Sequence, residues 1–130
     1  MSRAKSRAGE ALFIKWPGSQ VVLSLLADKW TIPVLHALGR GTKRTGELRR
    51  ELQGVSQKML TQTLRALELH AMIAREVFPV VPPRVEYRLT PLGESLNEPL
   101  AELCDWVERH GVELERTVAR QAARRKRVAP

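Results

Sequence analysis

Residues 45–90 read TGELRRELQGVSQKMLTQTLRALELHAMIAREVFPVVPPRVEYRLT, and this stretch decides the fold. Thr45 suits the cap of a short helix, with Glu47 in the first turn to complement the helix dipole. Leu48 and Leu52 recur at helical spacing and point inward. Gln53-Gly54-Val55 is a turn. Ser56 caps a longer helix that is expected to run to about His70, with Met59, Leu60, Leu64 and Leu67 as its buried stripe. Its other face carries Gln57, Lys58, Thr61, Gln62 and Arg65, which lie together at helical spacing. A strand over Ile73–Phe78, a rigid tip over Pro79–Pro83 and a strand over Arg84–Leu89 complete the pattern. Short helix, turn, long helix and hairpin in that order predict a fold that is mainly α with a small β hairpin, a winged helix-turn-helix.

Toward the N-terminus, Pro17-Gly18-Ser19 breaks the chain, and Ser19 is the expected N-cap of a first helix ending near Ala27. A second helix spans about Trp30 to Leu38. Pro33 is tolerable there because it falls in the first turn, where its missing N–H has no partner to lose. Toward the C-terminus, Thr90-Pro91 supplies a cap and a proline at the first helical position of a long helix. Pro99 inside it predicts a kink or break, Gly111 a second weak point, and the tail from Arg120 a frayed end. The expected organisation is a basic arm over 1–15, one domain over 16–115 and a basic tail over 116–130.

Charge is distributed unevenly. The chain has 130 residues and a net charge of +8. Arg40–Arg88 holds ten Lys/Arg against five Asp/Glu, Leu89–Glu115 one Arg against seven acids, and the last fifteen residues six Lys/Arg and no acid. The motif is therefore basic and the helix after it acidic, which suits a module with one phosphate-facing side. The single cysteine, Cys104, excludes an internal disulfide, and its place on the long helix suggests a small buried residue. His36, His70 and His110 stand far apart without metal-ligand spacing, so neither metal nor cofactor is expected. No run of about 18 apolar residues exists to span a membrane, and a cytoplasmic location is the simplest reading. No nucleophile–base pair or phosphate loop suggests an enzyme.

The polar face of the longer helix is the candidate for DNA contact. Arg65 and Lys58 suit guanine or phosphate, and Gln57 and Gln62 suit adenine. Thr45 and Arg49, with Ser56, lie where a helix start can bind backbone phosphate, although Thr45 is equally a plain cap. Arg84 follows two prolines and suits a groove or phosphate contact; the competing reading is a salt bridge with Glu86 or Glu76. Trp30 is expected behind the motif and Trp106 at a subunit seam, with a small-molecule effector pocket near them as the open alternative. The basic tail suits either DNA or solvent. A protein-interaction winged helix is the rival function, and the basic, amide-rich face argues against it.

Several segments together carry a family resemblance: DKWTIPVL (28–35), TGELRREL (45–52), GVSQKMLTQTLRALE (54–68), VPPRVEYRLTPLG (81–93) and LCDW (103–106). In this order they resemble the HxlR family of bacterial winged-helix transcription regulators, over roughly Ser19 to Trp106. The resemblance implies a homodimer, most simply a repressor, that binds double-stranded operator DNA through a recognition helix over Ser56–His70 and a wing around Val80–Val85. It also implies dimerisation through the N-terminal region and the helix after the wing. The residues matching that seam are Val22, Leu26, Leu96, Leu100, Leu103, Trp106 and Val107. One departure matters. Many relatives carry a Cys-Pro before the first helix, and some sense oxidants with it; Trp16-Pro17 stands there in this chain, so thiol sensing does not carry over.

Overall fold

The computed structural model describes residues 13–128. The expected arm over 1–15 therefore lies almost wholly outside the described residues; only its end is seen, as a single 3-10 turn over Phe13–Lys15. Helix α1 spans Ser19–Leu26 and α2 spans Thr31–Leu38. Ser19 does not cap α1 as expected. Gly18 takes the cap position at φ 87°, a conformation costly for any residue with a Cβ, and the Ser19 hydroxyl instead donates to the Ile14 carbonyl at 2.7 Å. Pro33 does lie in the first turn of α2, which buries Thr31, Val34, Leu35, Ala37 and Leu38. The Thr31 hydroxyl donates to the Leu25 carbonyl at 2.6 Å and ties the α1–α2 corner.

The sheet has three strands where the sequence suggested a two-stranded hairpin. β1 (Lys43–Arg44), β2 (Ile73–Phe78) and β3 (Arg84–Leu89) lie in the antiparallel order β1-β3-β2. Lys43 pairs with Tyr87 and Arg44 with Glu86, while β2 and β3 pair from Ile73–Leu89 to Phe78–Arg84. Two residues carry no alternation of their own, so β1 exists only because β3 offers a free edge.

Helix α3 (Thr45–Glu51) follows β1 directly. Arg44 holds its N-cap position and Thr45 is its first helical residue, which corrects the expected cap. Glu47 reaches back to accept the Arg44 backbone N–H at 2.8 Å and satisfies the end that Thr45 was expected to satisfy. Helix α4 spans Gln57–Leu69, and Ser56 caps it as expected, accepting from the Met59 N–H at 3.1 Å. Leu60, Leu64 and Leu67 are buried; Met59 is half-buried and packs against them.

Helix α5 runs over Pro91–Val128 without a break at Pro99 or Gly111, and it continues through the tail from Arg120, where a frayed end was expected. Pro99 is exposed, so the carbonyl that loses its partner is left to water, and the flanking Leu96, Glu98, Leu100, Ala101 and Glu102 are strong helix formers. At its start, the Thr90 hydroxyl accepts from the Gly93 N–H at 3.0 Å and donates to the Ala71 carbonyl at 2.6 Å. Gly93 is required here: a Cβ would overlap the Met72 carbonyl. The core gathers Leu25, Leu35, Leu48, Leu60, Leu67, Ile73 and Leu100 from every helix and from β2. Cys104, expected to be buried, is only half-buried, because α5 leaves the body just after Leu100.

Candidate nucleic-acid interface

The outer face of α4 follows from its inner one. Leu60, Leu64 and Leu67 fix one side to the core, so Gln57, Lys58, Gln62 and Arg65 are turned to solvent, with Thr61 half-buried between them. The helix is also held from behind by a polar contact that sequence reasoning missed. Thr63 is buried, and its hydroxyl donates to Asp28 Oδ2 at 2.7 Å, while Asp28 Oδ1 accepts the Trp30 N–H at 2.9 Å. Nothing in the sequence around Asp28 signals this role, because a partner 35 residues away leaves no local trace.

On the exposed side, α3 and α4 share a polar thread. Arg49 Nη1 donates to Gln57 Oε1 at 3.5 Å, and Gln57 Nε2 donates to Thr61 Oγ1 at 3.2 Å. Three predicted site residues are thus brought together. Ser56 is exposed beside them, with its hydroxyl engaged at the helix cap. Thr45 is half-buried at the start of α3, further along toward the wing.

Arg84 takes the ion-pair alternative. Its Nε lies 3.1 Å from Glu86 Oε2, and its guanidinium sits over the Phe78 ring at 4.3 Å from the centroid. Arg44, which the sequence did not single out, reaches the same Glu86 oxygen at 4.0 Å. Arg44, Thr45 and Gly46 face Val81, Pro83 and Arg84 across a concavity of about 500 Å³ between the start of α3 and the wing. Register explains the pairing: Glu86 sits opposite Arg44 in β1 and shares a strand face with Arg84 two residues away. The adjacent Glu76, opposite Glu86 in β2, is met by Arg88 at 3.7 Å.

A second carboxylate secures the loop before the motif. Glu51, at the C-terminal end of α3, lies 2.9 Å from Lys43 Nζ and 3.2 Å from Arg40 Nη2. The hydrogen bond from Lys43, and the charges of Lys43 and Arg40, hold its carboxyl below the usual carboxylate range. A carboxylate at a helix C-terminus is otherwise disfavoured by the dipole, so the two cations are what make the position acceptable. By contrast, Arg49, Arg50, Lys58 and Arg65 pair with no carboxylate among the described residues. Besides the basic tail of α5, α3 and α4 thus carry a group of cations left without a carboxylate partner, beside the wing.

The expected seam residues divide. Leu100 is spent on the protomer's own core, and Leu26 and Leu96 pack against that core. Val22 is half-buried, whereas Leu103, Trp106 and Val107 are exposed on α5, where Trp106 stacks against His110. Trp30 packs against the core near Gly54, behind the motif as expected. Among the described residues no group of His, Cys, Asp or Glu is arranged to hold a metal ion, and no single helix is long and apolar enough to cross a membrane.

The family model described as HxlR-like helix-turn-helix matches residues 25–115. The HTH-type transcriptional regulator YtfH of Escherichia coli K12 is 48% identical over 97 residues, covering 75% of this chain and 77% of its own. Among solved structures, the transcriptional regulator YtfH of Salmonella typhimurium superposes with a TM-score of 0.71 at 43% identity, covering 86% of this chain and 97% of that one. The redox regulator HypR in its oxidized form gives a TM-score of 0.66 at 36% identity, over 69% and 93% of the two chains.

Proposed function

The chain belongs to the HxlR-like helix-turn-helix family of transcriptional regulators, and from that premise we propose that it is a cytoplasmic, homodimeric repressor that reads an operator with α4. The observation that carries this reading is the outer face of α4. Gln57, Lys58, Gln62 and Arg65 are exposed at groove-facing spacing, and both cations lack a carboxylate partner among the described residues. Amides and guanidinium at these positions suit base edges. Arg49, Ser56 and Thr45 suit the phosphates on either side, and Arg84 with the wing suits the flanking backbone. Two copies joined through α1 and the exposed part of α5, with Val22, Leu103, Trp106 and Val107 at the seam, present two such helices. Half-sites about one turn apart, roughly 10–10.5 bp or a multiple, follow from the two-fold symmetry. A dimer seated over a promoter represses most simply by blocking polymerase.

HypR is a redox regulator. Trp16 occupies the place where the resemblance puts a sensing thiol, so this reading assigns the chain no sensor there; an effector would be a non-covalent small molecule.

The test is a titration of promoter fragments from the protein's own genomic neighbourhood against scrambled duplex, repeated across salt. Expected are a preference for one fragment and a slope of log K against log salt of about −0.9 per phosphate contacted. Binding that is flat with salt, or equal for every duplex, would overturn the reading.

A further inference from the structure

Between the first turns of α5, the C-terminal end of α2, the loop before β1 and the end of β3 lies a cleft of about 490 Å³. That is the size of a small-molecule site. None of the residues assigned above to DNA or to the subunit seam lines it.

Its walls are chemically one-sided. Asn97 of α5 lines the cleft, and its Oδ1 is buried without a hydrogen-bond partner among the described residues. Buried acceptors are normally matched by a donor, so this one is an open valence. The amide is also closely seated. Gly39 has an ordinary helical φ of −63°, yet a Cβ there would overlap Asn97 Nδ2, so close approach alone requires glycine. Glu94 and Glu98 stand one turn apart on the same wall, both exposed, and neither meets a cation among the described residues. Helix α2 ends at Leu38 in the opposite wall, which adds the negative end of its dipole. Arg88 is the only Lys or Arg lining the cleft, and its Nη1 lies 3.7 Å from Glu76 in β2. Leu38, Leu89 and Ala101 supply apolar surface beside these groups.

We propose that this cleft binds a small organic cation: an ammonium, amidinium or guanidinium head on an apolar body. The head donates N–H bonds to Asn97 Oδ1 and to the Glu94 and Glu98 carboxylates, and the body lies against Leu38, Leu89 and Ala101. This names a chemical class for the effector left open above, and it rests on that reading. The site is placed to act on the motif. The loop that forms its wall continues into β1, and Arg40 and Lys43 of this segment hold Glu51 at the end of α3. A ligand joining α5 to that loop therefore favours one placement of the helix relative to the motif, and DNA affinity follows the placement favoured.

Benzamidine, benzamide and benzoate share one shape and differ in charge, so they serve as probes. Each is titrated calorimetrically into the full chain without DNA, at fixed salt. Benzamidine should bind saturably, one per chain, and about tenfold or more tighter than the other two. Equal binding of all three, or a preference for benzoate through Arg88, overturns the proposal. Glu94→Gln/Glu98→Gln should lower benzamidine affinity about tenfold; unchanged affinity places the cation elsewhere and overturns the site. Asn97→Leu should lower it as well while the thermal midpoint stays level or rises, because an unmatched buried acceptor is removed. Saturating benzamidine should shift operator affinity about fivefold or more, and operator should shift benzamidine affinity by the same factor. Binding without that linkage overturns the effector role. Failure of benzamidine to bind while operator binding stands overturns the site alone. A chain that binds no operator overturns the regulator reading, and the titration without DNA still decides the site.

Discussion

The Thr63 hydroxyl donates to the Asp28 carboxylate at 2.7 Å across 35 residues of sequence. It fixes the rotation of α4 about its own axis, because Thr63 is buried on the inner face of α4 and Asp28 is held at the head of α2 by the Trp30 N–H. Which side chains face outward is thus decided partly by a contact on the opposite side. Thr63→Val and Asp28→Ala should each destabilise by about 1–3 kcal/mol. Because both remove the same contact, the double variant should cost less than the sum, by about 0.5 kcal/mol or more. Urea unfolding of the four proteins measures this, and strict additivity would remove the contact from the explanation.

Gln62→Ala and Arg65→Ala should each reduce discrimination between operator and random duplex by about 1–3 kcal/mol if the side chains make bidentate base contacts. Competition titrations report the ratio. If Arg65→Ala leaves it intact, another face of α4 meets the DNA.

Glu86 takes up charge from both Arg84 and Arg44. Glu86→Gln should release them, raise affinity for random duplex and steepen the salt slope by about one phosphate equivalent. Arg84→Ala should weaken operator and random duplex alike, as positional contacts do. An unaltered slope in Glu86→Gln would mean that the wing cations do not reach phosphate.

Stability should depend on pH through Glu51. Its folded carboxyl titrates below the ordinary range because of the Lys43 hydrogen bond and the Lys43 and Arg40 charges. A folded value lower than the unfolded one gives stability that is complete above the unfolded value and lost as pH falls through the folded one. Glu51→Gln should therefore flatten the acid limb of the urea midpoint as pH falls through and below the ordinary carboxylate range. An acid limb identical to that of the parent would show that the network contributes nothing in solution.

Gly93→Ala should destabilise by about 3 kcal/mol, since the added carbon meets the Met72 backbone oxygen, which cannot swing aside as a side chain can. A thermal melt tests this; an unchanged midpoint would mean that the turn over 71–73 yields more easily than its hydrogen bonds to Thr90 suggest.

Much of the architecture is legible in the sequence because it is written in local chemistry. Leu60, Leu64 and Leu67 repeat at the helical period, Ser56 and Thr90 are side-chain caps, and the Pro-rich tip separates two β-prone runs. Two of the local signals misled. Ser19 and Thr45 look like caps, but Gly18 and the Arg44–Glu47 contact fill those roles, because backbone geometry and a side chain three residues on compete for the same donors. Pro99 looks like a break, yet its one lost hydrogen bond is outweighed by the helix formers around it.

The sequence alone determined the order of the helices and the hairpin, the polar face of α4 and the segregation of charge along α5, since each depends on residue type and spacing within a single element. Only the tertiary structure decided which charges remain uncompensated. Arg84 and Arg44 converge on Glu86 through strand register, Glu51 collects Lys43 and Arg40, and Arg65 and Lys58 are left unpaired among the described residues. It also decided that Leu100 belongs to the protomer's core while Leu103, one turn further, does not. Both outcomes depend on which elements come to lie side by side. That is a property of the packed chain, and no periodicity within one helix or strand encodes it.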